Sequence, residues 1–210
     1  MVEVTYYYEY DDDGGRYCYS DSGVLKNKLG IEDFKTLRDA ERELSMVRYF
    51  DMETKGITGD FSLKHLCSIH EYLFGDVYEW AGQIRTVDIS KGTLFCLAKF
   101  ITEQFDIVYR WIVAHNYLKD VTDEALMAKD LAYVIGEINM IHPFREGNGR
   151  TQRLYLEQLC KAGGHFELSF AAITRDEMLK ASIDTSVCKY DSMEELLSRC
   201  IRRTDELQKV

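Results

Sequence analysis

Apolar residues recur at three- to four-residue spacing through most of this chain, which predicts a protein built mainly from amphipathic helices. From Ile31 to about Met52, Phe34, Leu37, Leu44 and Val47 carry that period, with Arg and Glu between them. Lys55-Gly56-Ile57-Thr58-Gly59-Asp60 breaks it. Ser62 is the predicted N-cap of a second helix with Leu63, Leu66, Ile69 and Leu73 on one face. A third runs from Ala98 to about Leu118 and turns Phe105, Val108, Trp111 and Ile112 inward. Thr122 is the predicted N-cap of a fourth, with the acidic Asp123 and Glu124 in its first turn. That helix carries Leu126, Leu131, Val134, Ile135, Ile138 and Ile141, and Gly136 inside it marks a close helix–helix contact.

The pattern changes between the second and third helices. Gln83 to Phe95 holds β-branched residues around a Lys91-Gly92 turn, which predicts one short β-hairpin. A lone two-stranded ribbon is barely stable, so it must lean on the helices, and it leaves an unpaired edge. Pro143, the only proline, disfavours helical geometry at His142, so the fourth helix is predicted to stop there. A fifth runs from about Gly149 to Ala162 and ends at Gly163-Gly164. Phe166 to Ile173 reads as extended. Thr174 to Glu177 and Ser192 to Glu195 both fit a capping box and start helices reaching about Ser186 and Leu207. Residues 1–23 are irregular, with Tyr6, Tyr7, Tyr8 and Tyr10 able to pack across a surface and Asp11 to Gly15 reading as a turn. With no repeat or linker, residues 1–210 are expected to form one domain, its core about 24–187 and its last helix about 193–207.

Composition narrows the function classes. A net charge of −10 argues against a protein that holds DNA or RNA by neutralising phosphates, so no nucleic-acid partner is expected. No stretch approaches the length of a membrane span, and the tyrosine-rich, then acidic start is unlike a signal peptide. Six irregularly spaced cysteines without a C-x-x-C pair read as reduced thiols in a cytoplasmic protein, which leaves delivery into a host cell open. His65 and His70 would point about 140° apart on a helix and do not converge on a metal.

The candidate chemistry lies in His142-Pro143-Phe144-Arg145-Glu146-Gly147-Asn148-Gly149-Arg150-Thr151-Gln152-Arg153, between the fourth and fifth helices. Gly147 and Gly149 let backbone N–H groups approach a ligand, and a helix N-terminus favours anions. Arg150 and Arg153 share one face of that helix's first turn, and Asn148 can reach a phosphate oxygen through its amide. Glu146 beside phosphates makes sense as a ligand of a divalent cation. His142 can accept a proton from an attacking hydroxyl. Each residue alone is commonplace, but their conjunction points to transfer of a phosphate-containing group to an alcohol. The loop is neither a Walker motif nor a dinucleotide fingerprint, since the lysine and the preceding strand are missing.

His142 to Arg153 resembles the Fic motif, H-P-F-x-[DE]-G-N-G-R-x-x-R, at every defining position. Val24 to Ile31 resembles the opening segment of small bacterial Fic proteins, and Tyr78 to Arg85 the segment before the family's flap. The resemblance implies a mainly α fold, a helical bundle with one short β-hairpin flap. It implies a protein adenylyltransferase that moves AMP from ATP to a Ser, Thr or Tyr hydroxyl of a target protein and releases pyrophosphate. His142 would be the base, Glu146 the ligand of Mg²⁺, and Gly147, Asn148 and Gly149 the anion-binding turn. Arg150 and Arg153 would grip the outer phosphates, Phe144 would pack into the core beside Pro143, and Ile89, Ser90 and Lys91 would hold the target by strand addition.

Doc-type relatives carry lysine in place of Gly149 and transfer a phosphate, so the glycine favours AMP transfer. A phosphotransferase, another nucleotidyl or phosphocholine transferase, or a non-catalytic nucleotide-binding module are the alternatives. Many Fic proteins are inhibited by a [ST]-x-x-x-E-[GN] helix whose Glu meets the second motif arginine, here Arg153. The one partial match, Thr5 to Glu9, is followed by Tyr10. The resemblance therefore implies a separate small antitoxin of the toxin–antitoxin type, or a constitutively active chain.

Overall fold

A computed structural model describes residues 9–10, 15–55, 57–91 and 94–207 of the chain. Tyr6, Tyr7, Tyr8, most of the Asp11 to Gly15 turn and Gly92 lie outside the described residues. Eight helices, α1 Phe34–Lys55, α2 Leu63–Phe74, α3 Ile101–Ala114, α4 Glu124–Ile141, α5 Asn148–Gly163, α6 Arg175–Thr185, α7 Asp191–Cys200 and α8 Thr204–Leu207, make up most of the described residues. The fold is mainly helical, as the periodicity predicts.

Helix α4 is central and packs against α3, α5, α6 and α7, while α2 bridges α1 and α5. Leu131, Val134 and Ile138 of α4 meet Tyr155 and Leu159 of α5, Leu66 and Ile69 of α2, and Phe105 and Ile112 of α3 in one buried cluster. Gly136 does mark a tight crossing: a Cβ there would stand 2.7 Å from the Tyr190 ring and 3.1 Å from Thr185 Cβ. The crossing therefore depends on the missing side chain.

Several local expectations give way to tertiary packing. On α1, Leu37 is buried but Phe34 and Val47 are 65% and 66% exposed. The helix instead turns its polar residues Glu41 and Ser45 inward, toward partners on α5. Leu126 likewise faces solvent. The N-cap of α4 is Asp123, whose Oδ1 accepts Leu126 N–H at 2.8 Å, not Thr122. The capping box at Thr174 forms, but Ser192 donates to Asp184 across a turn instead of capping α7. The last predicted helix is interrupted. Ile201–Arg203 is a strand, β4, paired antiparallel with β3, Phe166–Leu168. The buried Phe166, Leu168 and Ile201 explain why this stretch leaves the helical path.

The predicted hairpin is also different. Ile89–Ser90 is a strand, β2, and its return leg is a single bridge from Ser90 to Leu94, with Phe95 N–H donating to Ile89 O at 3.2 Å. Its regular partner is β1, Glu9–Tyr10, in antiparallel register with Glu9 opposite Ser90 and Tyr10 opposite Ile89. Glu9 lies in that strand, and Thr5 to Tyr8 of the partial inhibitory match lie outside the described residues. No helix among the described residues is long and apolar enough to cross a membrane.

Candidate active site

The loop from His142 to Gly147 is fixed by its two helices and by its own backbone. Helix α4 ends because His142 takes a left-handed conformation, φ 47°. Gly147 takes φ 82° and starts α5. Between them the Asn148 carboxamide closes the loop: Oδ1 accepts Phe144 N–H at 2.9 Å and Nδ2 donates to Phe144 O at 2.7 Å. The expected contact of that amide with phosphate is therefore replaced by a structural one. What Asn148 offers an anion is its backbone N–H, in a first turn that carries no acidic side chain.

Gly147 is required on two counts. A Cβ there would stand 2.4 Å from the ring of the buried Phe74, and the positive φ strains any other residue. Gly147→Ala is expected to cost about 2–4 kcal/mol, from overpacking and left-handed strain together. Thermal unfolding and ADP titration check this, with affinity falling because the N–H groups of the turn shift.

His142 is buried, and its ring stacks on Phe95 at 3.9 Å with an interplanar angle of 17°. Its Nδ1 lies 3.2 Å from Asn139 O, so Nδ1–H donates to that carbonyl and the lone pair belongs to Nε2. Burial pulls its pKa down to about 3, against a smaller opposing effect of the Asn139 carbonyl and with help from Arg85 and Lys91. The imidazole is thus neutral at pH 7, the form a base needs. An unfolded imidazole takes a proton below 6.5 while the folded one does not until about 3, so acid favours unfolding over that window. The wild type should therefore lose roughly one kcal/mol per pH unit relative to His142→Asn as pH falls below 6.5, measured by denaturant unfolding.

Glu146 accepts Gly147 N–H at Oε1, 3.0 Å, and no hydrogen bond to Oε2 is seen among the described residues. Its pKa is raised, first by desolvation and then by Glu41, against Gly147 N–H, Arg150 and Lys91. No group of three or more metal-ligating side chains occurs among the described residues. A single desolvated carboxylate beside a phosphate site still fits Mg²⁺, which commonly takes one or two carboxylates and completes its shell with phosphate oxygens and water.

The two arginines are not equivalent. Arg150 forms an ion pair with the buried Glu41, donates to Ser45 Oγ at 2.7 Å, and lies over the Phe74 ring at 4.6 Å. Glu41 also accepts from Tyr78 Oη. Arg150 is thus a tether between α5 and α1. Arg153 forms no ion pair or hydrogen bond among the described residues, and its Nη1 would stand 3.5 Å from a Cβ at Gly149. Phe144 is buried, and the Pro143 carbonyl accepts Arg85 N–H at 2.8 Å. On the flap, Ile89 is buried and Ser90 and Lys91 are half-buried. Lys91 is near enough to Glu146 and His142 to act on both charges.

Three positioning residues escaped the sequence reading. Arg85 is buried and donates to His142 O at 2.8 Å, Ile141 O at 3.2 Å, Val87 O at 2.6 Å and Cys96 O, sewing the flap to the loop. His70 accepts Gly82 N–H at Nδ1, 2.8 Å, donates from Nε2 to Glu146 O at 3.0 Å, and stacks on Phe144 at 3.9 Å. Its pKa falls to about 3 through burial, which keeps it neutral in that bridge. Phe95 is the third. A histidine beside the apolar positions Leu66, Ile69 and Leu73 was the available signal for His70.

Known proteins are similar to this chain in sequence and fold. Residues 60–160 match the Fic/DOC family. The chain is 35% identical to the protein adenylyltransferase VbhT of Bartonella schoenbuchensis over 93% of its own length, but spans only 40% of that relative. It is 31% identical to a Salmonella typhimurium protein named "Probable protein adenylyltransferase Fic", covering 91% of this chain and 94% of that one. Its fold superimposes on the N-terminal Fic domain of a VirB-translocated effector from Bartonella quintana with bound ADP. That match has a TM-score of 0.85 at 27% identity and covers 92% of this chain and 98% of that domain. On its motif, its fold and these relatives, the chain belongs to the Fic/DOC family.

Proposed function

We infer that this chain is a protein adenylyltransferase that moves AMP from ATP to a hydroxyl side chain of a protein. The observation that carries the reading is the neutral His142 imidazole, its Nε2 lone pair fixed by the Asn139 carbonyl, on the same loop as a helix N-terminus opened by Gly147. Relatives named as protein adenylyltransferases and an ADP-bound Fic domain agree with it.

In the reaction, the target hydroxyl gives its proton to His142 and its oxygen bonds to the α-phosphorus, while the bond from that phosphorus to the oxygen bridging the β-phosphorus breaks and pyrophosphate leaves with the electron pair. Backbone N–H groups of Asn148 and Gly149 receive phosphate oxygens, and Arg153 takes the outer phosphates. Mg²⁺ held by Glu146 supplies charge neutralisation when bound. Arg150 acts by holding α1 against α5 through Glu41. Gly149 favours AMP transfer, because a side chain there would border the Arg153 guanidinium where outer phosphates sit. Ile89, Ser90 and Lys91 would receive the target backbone by strand addition in place of Glu9–Tyr10, which pairs with Ile89–Ser90 in this structure.

Arg153 is also the point at which a glutamate from a separate small antitoxin would bind, in competition with phosphate. Pull-down from the native source tests this; a fully active isolated chain with no partner contradicts it. The six free cysteines favour a reducing, cytoplasmic setting. The decisive experiment labels protein with ATP carrying the isotope on either the α- or the γ-phosphorus. Transfer of the α label with pyrophosphate release is expected, and transfer of the γ label would make the chain a phosphotransferase.

A further inference from the structure

We propose that Tyr49 is a positioning residue for nucleotide binding: its hydroxyl holds the Glu157 carboxylate away from Arg153 and so keeps that guanidinium available to the outer phosphates. This rests on the reading above in which Arg153 takes those phosphates, and adds what keeps it ready for them.

Two polar links join α1 to α5. Glu41, Ser45 and Tyr49 recur every four residues of α1 and so share one face. Arg150, Arg153 and Glu157, spaced three and four apart, share one face of α5. In the first link Glu41 pairs with Arg150, which also donates to Ser45 Oγ. In the second, Tyr49 Oη–H donates to Oε2 of Glu157, across 108 positions of sequence. Arg153 lies between the two links along α5 and forms no ion pair or hydrogen bond among the described residues.

Glu157 is the carboxylate placed to close on Arg153. Helical side chains lean toward the N-terminus, which aims Glu157 back along α5 toward Arg153, and Arg153 toward Gly149. Desolvation lowers the pKa of the Arg153 guanidinium, opposed by Tyr49 and Glu157 and aided by Arg150, so both partners of the second link act on its charge. A desolvated cation without a counter-ion attracts the nearest anion strongly. Without the Tyr49 hydroxyl that anion is Glu157, and an ion pair with it must break before phosphate can enter. With the hydroxyl in place, Glu157 keeps a charge-assisted hydrogen bond whose loss shifts an equilibrium by about tenfold.

The test compares the full chain with its Tyr49→Phe, Glu157→Gln and Y49F/E157Q variants. Phenylalanine keeps the ring that packs edge-to-face on Phe50, so the fold should persist. Calorimetry gives Kd for ADP and for AMP, and transfer from α-labelled ATP gives KM and kcat. Tyr49→Phe should raise the ADP Kd and the ATP KM about tenfold, with kcat within about twofold of wild type. Binding of AMP, which lacks the outer phosphates, should not change. Glu157→Gln should bind ADP at least as tightly as wild type. The double variant should recover wild-type affinity, because no carboxylate remains to compete with phosphate. A link that merely braces α1 against α5 predicts the reverse, with the double variant as weak as Tyr49→Phe. That result, or an unchanged ADP Kd in Tyr49→Phe, overturns the proposal while leaving adenylyl transfer standing. A wild-type chain that neither binds ADP nor transfers the α label overturns the functional reading, and this proposal with it.

Discussion

Replacing His142 by asparagine is expected to lower AMP transfer by about 10²–10⁴-fold, the usual contribution of a general base. Asparagine is the cleaner substitution than alanine, because position 142 sits at φ 47° and asparagine tolerates the left-handed region. Gly147, the first turn of α5 and Arg153, the elements proposed to bind phosphate, do not pass through the imidazole. Binding of ADP should therefore survive while transfer is lost. Glu146→Ala should differ in kind, with transfer reduced and the magnesium dependence flattened. Labelling that continued undiminished in the His142→Asn variant would remove the imidazole from the reaction, and the neutral, tautomer-fixed ring would need another explanation.

The largest stability effect is expected at Arg85. Its buried guanidinium satisfies carbonyls from Val87, Cys96, Ile141 and His142, and Asp88 lies 3.8 Å away. Arg85→Ala leaves those acceptors buried without that donor and removes the cation beside Asp88, which keeps Ala98 N–H. Loss of one side of such a network costs about 3–5 kcal/mol. For a chain of this size that is a fall in Tm of about 6–20 °C. Transfer should fall further than stability alone explains, because Arg85 joins the flap to the base. Arg85→Lys should recover little, since one ammonium cannot reach carbonyls on two segments. A Tm shift under about 2 °C would mean that water replaces the guanidinium and that the flap is not held through it.

Helices α2 to α5 were legible because each buries a continuous apolar stripe, and the motif because its residues are contiguous. His142, Glu146 and Gly147 stand in the structure on one short loop, as their adjacency requires. The misreadings share one cause. Phe34 and Val47 fit a helical period, but α1 turns Glu41 and Ser45 toward Arg150, and only the position of α5 makes that favourable. Ile201–Arg203 reads as the end of a helix until Phe166–Leu168 offers it a strand partner. Ile89 and Ser90 are strand and pair back to Leu94 and Phe95 as the local pattern predicts, but their second partner, Glu9–Tyr10, lies about 80 positions away.

The same distinction runs through the site. The sequence by itself determined which groups could act, because a base, a carboxylate, an anion-binding turn and two arginines sit in one stretch where chain connectivity alone keeps them close. It also determined the family. Only the tertiary structure decided how those groups divide their work. It tied Arg150 to Glu41, committed the Asn148 amide to the loop, and set the Arg153 guanidinium beside Gly149. It also brought Arg85, His70 and Phe95 from distant segments to hold the base and its loop. Those assignments depend on contacts between residues tens of positions apart, and a local pattern along the chain carries no record of such distances.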